Sequence, residues 1–183
     1  MVRTFASKLR RSAALFTHIL AVACLVLPSA ANAADDTSCA SSPNRRALDF
    51  WIGEWSIASP GNPPDASSSV SLDLSQCVVV ERWKGERNHS GENVFGYSAD
   101  DQSWHGLFAD NEGRVHVFLE GKATAGTAQF TGPSRGPGGE TVLNRITVRR
   151  IDANHVEQEW QKSADNGKTW TRQFLLDYTR SSK

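Results

Sequence analysis

The stretch "TVLNRITVRRIDANHVEQEWQKSADNGKTWTRQFLLDYTR", residues 141–180, holds three long runs separated only by "IDANH" and "SADNGK". Apolar and polar residues alternate within the runs, and no helical period persists beyond two turns. Alternation of this kind marks half-buried strands. Asp, Asn and Gly in the short connections suit tight reversals, so the three strands must run antiparallel.

The same pattern extends back to residue 54. Strands are expected near Glu54–Ala58, Ser68–Leu74, Cys77–Lys84, Asn93–Ala99, Ser103–Ala109, Arg114–Glu120, Thr127–Thr131, Thr141–Arg150, His155–Lys162 and Thr169–Thr179. The links "SADDQS", "ADNEG" and "EGKATAG" are again reversal chemistry. About ten strands in a meander would expose unpaired edges unless the sheet closed. The expected fold is therefore all-β, a single up-and-down antiparallel barrel. Two longer links, "SPGNPPDASS" at 59–68 and "GPSRGPGGE" at 132–140, are expected as rim loops. A short helix is expected at one end, with Ser42 as N-cap, Pro43 at its first position and Gly53 at its close. It would carry Leu48, Trp51 and Ile52 inward and leave Arg45, Arg46 and Asp49 in water.

Residues 1–33 read differently. Arg3, Lys8, Arg10 and Arg11 precede an apolar run from Ala13 to Leu27, and Ala31 and Ala33 form an A-x-A site before "ADD". This is the layout of a cleaved signal peptide, and the run is shorter than the ~20 residues a membrane span needs. Cys24 follows "AVA", unlike a lipoprotein box. The expected organisation is a leader at 1–33, a lead-in at 34–47 and a barrel at 48–180, secreted, most readily to a bacterial periplasm, with no stable membrane insertion.

Loss of four basic residues from 20 leaves 16 against 20 acidic ones. A mildly acidic protein without a basic cluster is not built for nucleic acid. Cys39 and Cys77 then remain, an even pair that in an oxidising compartment favours a disulfide over two free thiols. Without a CxxC pair, and with histidines scattered at 89, 105, 116 and 155, neither metal nor cofactor is expected.

Gly53 and Trp55 in "DFWIGEWSI", residues 49–57, match the G-x-W signature of lipocalins and related calycin barrels. That resemblance implies a tryptophan plugging one barrel end beneath a late arginine, here Arg172 or Arg180. The chain also resembles a family of small lipocalin-like domains of unknown function, DUF1579-type. "LDFWIGEWSI", "CVVVERWKG", "VFGYSADDQSWHGLFAD", "NRITV", "VEQEWQKSADNGKTW" and "LLDYTR" carry it, in order, over residues 48–180. It implies the fold and no particular activity. "SADNGKTW", residues 163–170, fits the Asp box of β-propellers, but it occurs once, so Ser163, Asp165, Gly167 and Trp170 are expected to build a hairpin.

Strand parity selects the chemistry. Glu81 and Trp83 share one face of their strand, Arg145 alternates with Leu143 and Thr147, and Gln158 alternates with Val156 and Trp160. Together with Phe95, Tyr97 and Trp104 these residues are expected to line an apolar interior with a few polar groups, the usual makeup of a small-molecule site. A buried Glu81 needs a partner, for which Arg145 and Gln158 on the late strands are the candidates. There is no G-x-S-x-G, P-loop or G-x-G-x-x-G. The expected function is to bind a small, mainly hydrophobic molecule. An isomerase or cyclase using Glu81 as acid or base, and a filled structural barrel, are the alternatives. Oligomeric state is left open.

Overall fold

The computed structural model describes residues 38–181. The expected leader and residues 34–37 lie outside the described residues. Among the described residues, no helix is long and apolar enough to cross a membrane.

Ten antiparallel strands close into one barrel: β1 (Gly53–Ala58), β2 (Ala66–Asp73), β3 (Val78–Lys84), β4 (Ser90–Ser98), β5 (Ser103–Asp110), β6 (Val115–Thr124), β7 (Thr127–Arg135), β8 (Thr141–Arg150), β9 (His155–Ser163) and β10 (Thr171–Arg180). Every strand pairs with its sequence neighbours, and β1 pairs with β10, Trp55 opposite Arg180 and Ile57 opposite Tyr178. Closure removes the free edges that a ten-strand meander would leave.

Two strands run further than their sequence suggests. Residues 120–124 of "EGKATAG" continue β6, and the reversal shrinks to Ala125 and Gly126. β7 likewise continues through Gly132 and Pro133 to Arg135, paired with β8 as far as Thr141. Proline survives there because pairing with β6 stops at Glu120 opposite Thr131, so no ladder bond needs its missing N–H.

Side chains alternate across the wall. Trp55 and Ile57 of β1, Val79 and Glu81 of β3, Asn93 and Phe95 of β4, Ile146 and Val148 of β8, and Val156, Gln158 and Trp160 of β9 are all buried. One end is packed solid. The chain enters through turns at 39–48 and a single 3-10 turn, Asp49–Trp51, which brings Leu48 and Trp51 into the core. Trp51 meets Phe95 with centroids 6.1 Å apart, and Phe95 stacks on Phe130 at 4.2 Å. Each such ring removed from water contributes about 1.5–3 kcal/mol.

Trp55 donates through Nε1 to the Trp51 carbonyl at 2.9 Å. The Arg180 guanidinium lies 4.3 Å from the centre of the Trp55 ring and donates to the Ile52 carbonyl at 3.2 Å. Gly53, at φ 145°, lets it approach, since a Cβ there would strike the guanidinium. Arg172 instead pairs with Glu159 at 2.6 Å. The Cys39–Cys77 disulfide ties the entering segment to the β2–β3 turn.

Candidate functional site

Glu81 of β3 is fully buried. Register places it directly opposite Asn93 of β4 and Val70 of β2, and the neighbouring strands bring donors to it. Ser68 Oγ donates to Oε1 at 2.8 Å, Tyr178 Oη to Oε1 at 2.9 Å, and Asn93 Nδ2 to Oε2 at 2.8 Å. Gln158 lies close enough to favour the carboxylate, although its Nε2 makes no hydrogen bond of acceptable geometry. Burial pushes the Glu81 carboxyl up, and the four neighbouring polar groups only partly offset it. Tyr178 is pushed well up by burial first, then by the Glu81 charge and the bond it donates to that carboxylate. β2, β3, β4 and β10 thus meet in one polar knot inside an apolar barrel.

Beyond the knot the barrel is open. A cavity of about 450 Å³ is lined by Trp83, Phe108, Ile146, Trp160, Phe174 and Leu176 along its apolar walls, with Asn93, Gln158 and Tyr178 also lining it. Glu81 itself is not among the lining residues. Trp160 Nε1 donates to Asn144 Oδ1 at 3.2 Å, and Asn144 Nδ2 donates to Ser134 Oγ at 2.7 Å, which fixes the indole from behind. Phe108, His116 and Phe174 meet that indole with centroids 5.4, 5.0 and 5.7 Å away. Trp83 lies nearly parallel to Phe108 at 6.3 Å.

Three lining residues carry a buried polar atom without a partner: Asn93 Oδ1, Gln158 Nε2 and His116 Nδ1. Asn93 cannot satisfy its carbonyl by flipping, because its amide nitrogen is committed to the Glu81 carboxylate. His116 is held below the usual imidazole range, by burial first and then by the charges of Lys162 and Arg114, which outweigh the opposing effect of Asp110.

At the rim, His89, Asp110 and Glu112 converge, but the Arg114 guanidinium occupies their centre. It reaches Asp110 Oδ2 at 2.6 Å, Glu112 Oε2 at 2.8 Å and His89 Nε2 at 2.8 Å. Burial would raise the Asp110 carboxyl, yet bonds from the Arg114 backbone and side chain hold it well below the carboxylate range.

Of the residues singled out by sequence, Trp83, Gln158 and Trp160 line the cavity and Glu81 lies beneath it. Phe95 and Trp104 belong to the packed end, each within aromatic contact of Phe130. Tyr97 accepts from Asn44 Nδ2 at 3.2 Å, tied to the entering segment. Arg145 is a correction. It lies on the outer wall, stacked 3.9 Å from the Trp170 ring centre and bonded to Gln161 Oε1 at 2.6 and 2.8 Å. Its parity is opposite to that of Ile146, which faces inward, so Glu81 is met by hydroxyl and amide donors and not by the Arg145 guanidinium.

The β9–β10 hairpin is built from local bonds. Asp165 Oδ1 accepts from Thr169 N at 2.9 Å and from Ser163 Oγ at 2.7 Å, Gly167 takes φ 84°, and Trp170 Nε1 donates to the Gly167 carbonyl at 3.0 Å. Asn93, His116, Phe174, Leu176 and Tyr178 were not singled out as ligand residues. For Asn93 the register supplies a signal, since a strand joined to β3 by a short link must place some polar side chain opposite Glu81.

No family model matches this chain, and no curated protein does. The solved structure of Rv2717c from M. tuberculosis is similar to it, with 11% sequence identity, 77% of this chain and 99% of that chain covered, and a TM-score of 0.46. A likeness at that level says nothing of ligand or activity.

Proposed function

We propose that this protein is an exported, calycin-like barrel of the DUF1579-type kind that binds a small, mainly hydrophobic molecule in its open half. The observation that carries the reading is a cavity of about 450 Å³ with aromatic walls, Trp83, Phe108 and Trp160, and a few polar residues, Asn93, Gln158, His116 and Tyr178, among its lining. A mostly apolar cavity with a few convergent polar groups is the usual makeup of a small-molecule site. The disulfide is consistent with an oxidising compartment, to which a signal peptide cleaved after Ala33 would direct the chain.

The acid or base reading of Glu81 gains no support from its position, since Asn93, Gln158 and Tyr178 line the cavity and it does not. Titration with the uncharged fluorophore phenylnaphthylamine tests the binding reading. Saturable, blue-shifted emission is expected for the wild-type protein and its loss for Ala66→Phe, which projects a ring into the cavity from β2. Absence of saturable emission, or equal emission from the filled variant, would sink the proposal.

A further inference from the structure

The cavity rim is not electrically neutral. Among its described lining residues the basic side chains are Arg114 and Lys162, joined by His89 and His116, while Asp65 is the one acidic side chain. Arg114 is engaged by Asp110 and Glu112. Lys162 is not: it shares the inward parity of Gln158 and Trp160 on β9, is exposed, and forms no ion pair among the described residues.

Lysines on a barrel wall ordinarily point to water on the outer face, where they cost nothing. Lys162 instead sits one inward step above Trp160, the indole that His116 and Phe174 contact. Its charge, with that of Arg114, is felt at His116, whose Nδ1 is buried without a partner. A cation without an ion-pair partner among the described residues, lining the same cavity as an imidazole and set above an aromatic wall, is half of a recognition site.

Resting on the ligand-binding reading above, we propose that the cavity takes a flat aromatic anion, its rings against Trp83, Phe108 and Trp160 and its carboxylate or sulfonate at Lys162 and His116. The aromatic walls match rings in size and in edge-to-face geometry. The ammonium supplies a charge-assisted bond to the head group. His116 lines the same cavity and, with Nε2 rather than the buried Nδ1 carrying the proton, adds a ring N–H donor.

The test compares two probes with the same rings, phenylnaphthylamine and anilinonaphthalenesulfonate, one neutral and one anionic. The wild-type protein is expected to bind the sulfonate about tenfold more tightly, a difference of about 1.4 kcal/mol. That advantage should shrink as salt is raised from low ionic strength, where screening is weak, towards 1 M. Lys162→Met keeps the apolar stem, so it should abolish the sulfonate's advantage over the neutral probe when both are measured on that variant. Ala66→Phe should remove both, which separates cavity binding from adsorption elsewhere. Equal affinity of the two probes for the wild-type protein, or an unchanged sulfonate advantage in Lys162→Met, overturns the anion inference and leaves the hydrophobic site standing. Failure of both probes to bind overturns both.

Discussion

Glu81 has the strongest claim to shape the protein's response to pH. Its folded carboxyl titrates above the ordinary value of 4.5 because burial outweighs the donors around it. The native state therefore binds a proton more readily than the unfolded chain, and the favourable contribution is complete below pH 4.5 and lost as pH rises through the folded value. Thermal midpoints of wild type and Glu81→Gln should accordingly diverge as pH rises from about 4.5, with the variant losing less. Parallel curves would show that Glu81 ionises as freely inside as outside. Glu81→Ala should cost about 3 kcal/mol or more, because it strands the Ser68, Asn93 and Tyr178 donors, and a chemical denaturation midpoint would show it. Asp165 behaves oppositely. The Thr169 hydroxyl first, then the Thr169 and Ser163 bonds, lower its carboxyl to about 2. Its contribution is present above pH 3.8 and lost as pH falls towards 2, so the gap in thermal midpoint between wild type and Asp165→Asn should close over that interval.

Among the elements, the β2–β3 turn is the place where the chain is held against its own preference. Leu74, Ser75 and Gln76 follow one another at φ 47°, 56° and 69°, a left-handed run that L-residues avoid. The bond that Leu74 N donates to Asp73 Oδ1 and the disulfide at Cys77 hold it. Replacing Cys39 and Cys77 by serine together should remove about 4 kcal/mol, the chain-entropy value for a loop of 38 residues. Equilibrium denaturation of the double variant measures it, and a loss below about 1 kcal/mol would show that the turn holds itself. Element type and order were legible because turn chemistry and alternation agreed nearly everywhere. Parity was legible on β3, where Glu81 and Trp83 share the inner face with Val79. It failed on β8, whose two faces read Leu143, Arg145, Thr147 and Asn144, Ile146, Val148, each mixing polar with apolar residues. It was inverted on β6, where Val115, Val117 and Leu119 are 59%, 45% and 54% exposed while His116 faces the cavity. An apolar outer stripe conceals the inward side of its own strand.

For the whole molecule, a period of two says which side chains enter a barrel but not at what height along its axis. Height is set by strand tilt and stagger, which no single strand encodes. Phe95, Trp104, Trp83 and Phe108 all point inward, yet the first two are consumed in the packed end and the last two line the cavity. The division has a dynamic consequence. At the packed end Trp51, Trp55, Phe95, Phe130 and Tyr178 leave no room for local opening. At the mouth, the β9–β10 register shifts between Arg172 and Phe174, and Thr171, Arg172, Gln173 and Phe174 are exposed. Amides in weakly packed, exposed backbone exchange through local opening, those in a dense core only through global unfolding. Hydrogen exchange of the protein without ligand should therefore be slow around Phe95 and Phe130 and fast around Gln173 and Phe174. Saturation with phenylnaphthylamine should slow the second region through contacts with Phe174 and Leu176, beyond any global gain shared by both. Uniform protection on both ends would mean that the probe stabilises the barrel as a unit, and protection confined to the packed end would place the ligand somewhere other than the cavity.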